Sequence, residues 1–287
     1  MNNDVFNFNR FGRYLATDLR NAVSKYGITL LVMASFSVTV YLIVGLFSAV
    51  SGNGWISTGL IFRLFVFAMS TLVVLISSPG KIYGFITEKR AGTSFLMVPV
   101  STLEKTLSML IVSCVAVPFS FFAIYLSFDQ ILCLLDAGCG DSVIYALNEG
   151  RASLMDGLSQ LSEELDIYTD VLSSGFLVYA DDVAQTTLTF LLGALLFKTA
   201  KPAKTIGCMI IISIVLSMIM VPVISFGAVE KFKVAVENDM TPQELFDSFP
   251  VLSWMVKHAR LVDNVSDTLF NLALCTGIYF RVKKIKH

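Results

Sequence analysis

The sequence predicts an all-α, polytopic integral membrane protein. It would have six transmembrane helices, both termini cytoplasmic, and an N-terminal amphipathic helix lying in the membrane plane. Three observations carry this reading. Of 287 residues, 55% are hydrophobic and 15% charged, whereas soluble domains carry about 25% charged residues. Several charge-free stretches reach the roughly 20 residues that cross about 30 Å of hydrocarbon. The remaining charges are segregated along the chain, as membrane orientation demands. A net charge of −1 lacks the basic surface that nucleic acids select, so no nucleic-acid partner is expected.

The first element is residues 1–26. Phe8, Phe11, Leu15, Leu19, Ala22 and Tyr26 recur at spacings of three and four, while Arg10, Arg13, Thr17, Arg20 and Ser24 form the opposite stripe. A basic amphipathic helix of this kind lies along the inner leaflet, its cations towards anionic headgroups. The plainer alternative is a topogenic flank whose arginines only set orientation.

Residues 27–287 are expected to form one six-helix transmembrane domain. Spans near 27–50 and 59–79 flank the turn signal Ser51-Gly52-Asn53-Gly54. Arg63 lies about one turn inside the second span, where its stem is expected to carry the guanidinium out to the interface. Spans near 106–128 and 205–229 carry no charge, and each contains a proline, Pro118 and Pro222, expected to kink it. Two spans are weaker. The one near 181–199 has 15 uncharged residues, Val183–Phe197, after Asp181-Asp182, and the one near 262–281 has 13, Thr268–Phe280. In the last, Asn264, Asp267 and Asn271 share a helical face, which would point at other helices or a wet cavity. Segments 129–173 and 230–261 then lie outside.

Orientation follows from the bases. The N-terminal segment, the 81–105 connection, the connection near 200 and the tail hold 15 of the 21 Lys and Arg, and would be cytoplasmic. Asp129–Asp170 holds nine acids against one base, Arg151.

In the 81–105 connection, Ser101 followed by Glu104 is a capping box, so a helix should start there before entering the membrane. Phe95–Val100 is apolar but too short to span. It is either a loop seated on lipid or a docking element rimmed by charge, with Arg90, Phe95, Leu96, Met97, Ser101 and Glu104 as the docking candidates. Cys133 and Cys139 fall in an outer segment, where an oxidising compartment would let them pair, and two free thiols are the alternative. Cys114, Cys208 and Cys275 read as small core residues.

No enzyme is expected. The two histidines, His258 and His287, cannot build a clustered metal site, and no Gly-x-Ser-x-Gly elbow occurs. Glu163, Glu164, Asp166 and Asp170 lack the glycine and spacing of a calcium loop. No Gly-x-x-x-x-Gly-Lys-Ser/Thr phosphate loop is present either.

The text Glu88-Lys89-Arg90-Ala91-Gly92-Thr93 and Met97-Val98-Pro99-Val100-Ser101-Thr102-Leu103-Glu104-Lys105, with this helix order, resembles type-2 ABC exporter permeases. The outer segment near 129–173 is longer than that pattern. The resemblance implies an elbow-like first helix, a first cytoplasmic loop coupled to a separate ATPase chain, and a homo- or heterodimer of permease subunits. ATP and magnesium would then belong to the partner subunit, with no cofactor or metal in this chain. The chain would be a multi-pass permease of a cell inner or cytoplasmic membrane, its path lined by Arg63, Asn264, Asp267 and Asn271. The alternative class is a non-transporting membrane scaffold, immunity or partner-binding protein.

Overall fold

The computed structural model describes residues 6–52, 54–55, 58–88, 92–93, 95, 97–147, 175–218 and 259–285. These are helical, with no strand among them. Helix α1, Phe8–Ala34, starts on Asn7, whose side chain accepts from the backbone N–H groups of Asn9 and Arg10 at 3.0 and 3.3 Å. Helix α2, Phe36–Val50, follows after a single interruption at Ser35 (φ −82°, ψ −1°). Ser35 N–H still donates to Leu31 O at 2.9 Å, so Phe8–Val50 is one 43-residue helical stretch.

This differs from the expected division near residue 26. Nothing at Tyr26-Gly27 stops a helix, since one internal glycine costs only about 1 kcal/mol. Tyr26 is also fixed there, donating or accepting at 2.7 Å with Ser77 Oγ. The apolar stripe is covered by protein rather than by headgroups: Phe11, Ala22, Tyr26, Leu30 and Ala34 are buried, and α1 packs on α3, Leu60–Tyr83. Only Phe8 of the predicted stripe is fully exposed.

Helix α3 runs through Pro79 and ends in a 3₁₀ turn, Gly84–Thr87. Helix α4, Thr102–Ile111, opens on the capping box, Ser101 Oγ accepting from Glu104 N–H at 3.3 Å. It passes through a π turn, Val112–Ala116, into α5, Val117–Leu135. The π turn sits directly before Pro118, which lacks the N–H that would close onto Cys114 O and whose ring crowds that carbonyl. Because α5 extends to Leu135, Asp129 belongs to this helix and not to a loop outside it.

Helix α6, Gly175–Leu196, packs on α3, the π turn and α8, Ala259–Lys284. Helix α7, Lys201–Met218, follows a short turn. Gly193 of α6 lies against Thr205 of α7, where a Cβ would overlap the threonine side chain. The aromatic part of the core is Phe67, Phe121, Phe122 and Tyr125, with ring centroids 5.0 to 5.9 Å apart.

Among the described residues, four helical stretches are long and apolar enough to cross a membrane: Phe8–Val50, Leu60–Thr87, Thr102–Leu135 and Lys201–Met218. Residues 148–173 of the expected outer segment, Pro222 and most of segment 230–261 lie outside the described residues.

Candidate functional site at the α1–α4 junction

Glu104 ties three chain segments together. As the third residue of α4 it reaches back to accept from Ser101 N–H at 2.9 Å, completing the capping box. The same carboxylate accepts from Asn7 N–H at 2.8 Å and from Arg10 through Nη2 at 2.8 Å and Nε at 2.9 Å. Its side chain is fully buried, while that of Arg10 is about a quarter exposed. The charge-free stretch of this 34-residue helix begins at Thr106, so Glu104 stands before the part apolar enough to cross lipid. Burial alone would raise its carboxyl pKa. The hydrogen bonds from Arg10, Asn7 and Ser101 outweigh that and hold it well below the usual carboxylate range.

The predicted docking set is therefore divided. Ser101 and Glu104 face inward and hold the chain to itself, so neither is open to a partner. Phe95 is also buried, and its carbonyl accepts from Lys105 Nζ at 2.8 Å. Met97 is 82% exposed. Arg90 and Leu96 lie outside the described residues. Apolarity in a short loop does not reveal which of its residues turn inward, which is why the sequence treats them alike.

Beside Glu104 a cavity of about 700 Å³ opens between α1 and the 83–100 connection. Arg13, Tyr14, Asp18 and Asn21 line it from α1, and Tyr83, Phe85, Phe95, Val98 and Pro99 from the other side. Asp18 is 8% exposed. Its Oδ2 accepts from Tyr83 Oη and from Ser108 Oγ, each at 2.7 Å. Lys25, one turn pair further along α1, points instead at the Phe85 ring, 3.4 Å from its centroid, and at Ile82 O. Sequence reasoning missed Asp18. The signal was present, because 11, 15, 18, 22 and 26 continue the three-and-four spacing of the apolar stripe, so a carboxylate there faces the core.

The predicted path-lining residues fall into two separate groups. Arg63 does not reach the interface: at 2% exposure it is locked inside. Its Nη1 donates to Asp129 Oδ1 at 3.1 Å, and its Nη2 to Cys139 O at 2.9 Å and Asp141 O at 2.5 Å. Asp129 Oδ2 accepts from Val143 N–H at 2.7 Å. The reason is compensation: a buried carboxylate and two backbone carbonyls replace the water that snorkelling would have sought. Cys133 and Cys139 are disulfide-bonded, six positions apart, and close the loop that presents Cys139 O.

The second group is on α8. Asn271 Nδ2 donates to Asp181 Oδ1 at 2.7 Å, joining α8 to α6. Asn264 is exposed and Asp267 half-buried. Among the described residues no three His, Cys, Asp or Glu side chains gather closely enough to hold a metal ion. No family model, curated protein or solved structure matches the chain.

Proposed function

We propose that this chain is the membrane-spanning permease subunit of an ATP-driven exporter, paired with a second permease copy and served by a separate cytoplasmic ATPase that binds ATP and magnesium. In this reading six helices cross a cell inner or cytoplasmic membrane, α6 and α8 being the two beyond the four apolar stretches. Their polar residues are tolerated because α6 packs on α3, the π turn and α8 rather than on lipid. The basic ends of α1, α3 and α8 face the cytoplasm.

The observation that supports coupling is the clasp at Glu104. It joins the 81–105 connection to the start of α1, while Lys201 Nζ donates to Gly84 O from the start of α7. Force applied to the connection would thus reach α1, α4 and α7 together, as a tilting bundle needs. The docking surface in this proposal is Met97 with Arg90 and Leu96. Asn264, Asp267 and Asn271 of α8 are proposed to line the path, and Arg63 is left to its structural pair.

The test is co-purification in mild detergent from the native host. A Walker-type ATPase should accompany the chain, and Met97→Asp should lower its retention about fivefold, as loss of an exposed apolar anchor does. Undiminished retention, or no ATPase at all, would overturn the proposal.

A further inference from the structure

Helices α4 and α8 lie against each other, and a groove of about 320 Å³ runs along their shared edge. Leu103, Leu107 and Leu110 form one wall, and Thr276, Tyr279 and Phe280 the other. Leu103 stands in the first turn of α4 and Phe280 one turn from the end of α8, so the groove reaches one end of the bundle. Its rim is open, Leu103 being 50% and Phe280 52% exposed. An apolar slot parallel to a helix apolar enough to cross a membrane suits a hydrocarbon chain, which asks its walls for no hydrogen bonds.

The end of the groove carries charge of one sign. Positions 276, 279, 280 and 283 recur at spacings of three and four, so Lys283 continues the face of α8 that lines the groove. Lys283 is exposed, and no carboxylate pairs with it among the described residues. Arg281, on another face of α8, is already engaged, donating to Leu195 O at 3.0 Å. One turn before Lys283, the Tyr279 hydroxyl has no hydrogen-bond partner among the described residues. Across the groove, the backbone N–H groups of Thr102 and Leu103 have no acceptor among the described residues, and they bring the positive end of α4 to the same place. Glu104, the acid of α4, is turned away to α1 and held by Arg10. A slot of this kind, apolar along its length and cationic at its mouth, is matched by a molecule with a hydrocarbon tail and an anionic head.

We propose that the α4–α8 groove holds one chain of a bilayer phospholipid of net negative charge, with the tail along Leu103, Leu107 and Leu110 and the headgroup on Lys283. The proposal goes beyond the permease role and needs neither an ATPase nor a transported substrate, since binding is a property of this chain alone.

The test is native mass spectrometry of the purified full chain in nonionic detergent, titrated with dioleoyl phosphatidylglycerol or dioleoyl phosphatidylcholine. The two lipids share both chains and the phosphate and differ in net charge. The first phosphatidylglycerol should bind about fivefold more tightly than the first phosphatidylcholine, as one lysine at a membrane surface provides. Lys283→Gln should remove that preference, whereas Lys198→Gln, at another exposed lysine, should leave it unchanged. Thr276→Trp, at an exposed position in the groove, should fill it and weaken the first lipid of either kind by about fivefold or more. Equal affinity for the two lipids, a preference that survives Lys283→Gln or disappears in Lys198→Gln, or lipid binding untouched by Thr276→Trp would overturn the proposal. A dimer in the same spectra that Thr276→Trp dissociates would also overturn it, because the groove would then belong to a second copy of the chain.

Discussion

Breaking the Arg63–Asp129 pair should be among the most damaging single changes available in this chain. Both side chains are almost wholly buried, at 3% and 1% exposure. Removing one partner leaves the other charge stranded, which costs about 3–5 kcal/mol in comparable buried pairs. Asp129→Asn should therefore destabilise by about 4 kcal/mol, and Arg63→Met by a similar amount. The double variant removes both charges, but Cys139 O and Asp141 O still lose their donor, while the amide oxygen introduced at position 129 can still accept from Val143 N–H. Asp141 is exposed, so water can replace part of the loss at its carbonyl, and the double variant should cost about 4–5 kcal/mol rather than twice the single effect. The coupling energy then comes to about 3 kcal/mol. Reversible unfolding in mixed micelles measures all four proteins of the cycle. For a chain of this length each kcal/mol moves the midpoint by about 2–3 °C, so a single variant should melt about 8–12 °C lower. Additive single effects, with coupling below about 0.5 kcal/mol, would show a solvated pair and refute the reasoning.

Three further outcomes follow from the geometry. The folded pKa of Glu104 is held below its unfolded value, so its carboxylate contributes stability above the unfolded carboxyl range of about 4.3, and that contribution is lost as pH falls towards the folded value. Unfolding midpoints should drop below about pH 4 for the wild-type chain and change less with acid for Glu104→Gln, and parallel curves would contradict this. Gly193→Ala places a methyl onto Thr205 and should separate α7 from α6 at a cost of about 2 kcal/mol or more, read as lost cross-linking between cysteines placed on those two helices. Intact protein should show one reducible disulfide, and the Cys133→Ser, Cys139→Ser pair should lower stability by about 2 kcal/mol for so short a loop, whereas an unchanged thiol count after reduction would show there is no bond.

Helix identity and the cap at Ser101 were legible because both depend on neighbours in sequence. An apolar run and a Ser-x-x-Glu pattern mean the same thing wherever the chain goes next. The fate of α1's stripe was not legible, because an apolar helical face is satisfied equally by lipid, headgroups or protein, and α3, α4 and α5 decide which. The same limit explains α6. Its few uncharged residues read as a marginal span, yet Leu188, Leu191 and Leu195 are buried among other helices. Hydropathy scales weigh contact with lipid, and α6 makes most of its contacts with protein. Arg63 shows the converse: a local rule, snorkelling, yielded to partners 66 and more residues away. Asp18 was visible as a phase match and needed only to be weighed against the stripe it interrupts.

The π turn at Val112–Ala116 sets the rotational phase between α4 and α5. Val117 N–H donates to Val112 O, five residues back, so one extra residue is accommodated without unwinding the helix. Rewinding the turn as ordinary α-helix with every residue kept would rotate everything beyond by about 100°. Glu104 would keep its hold on Arg10 at one end of the helix, while Asp129 swung away from Arg63 at the other. The turn thus works as a fixed gear between two ionic anchors 25 residues apart, and any motion that tightens or releases it would be felt at both ends of the helix as torque.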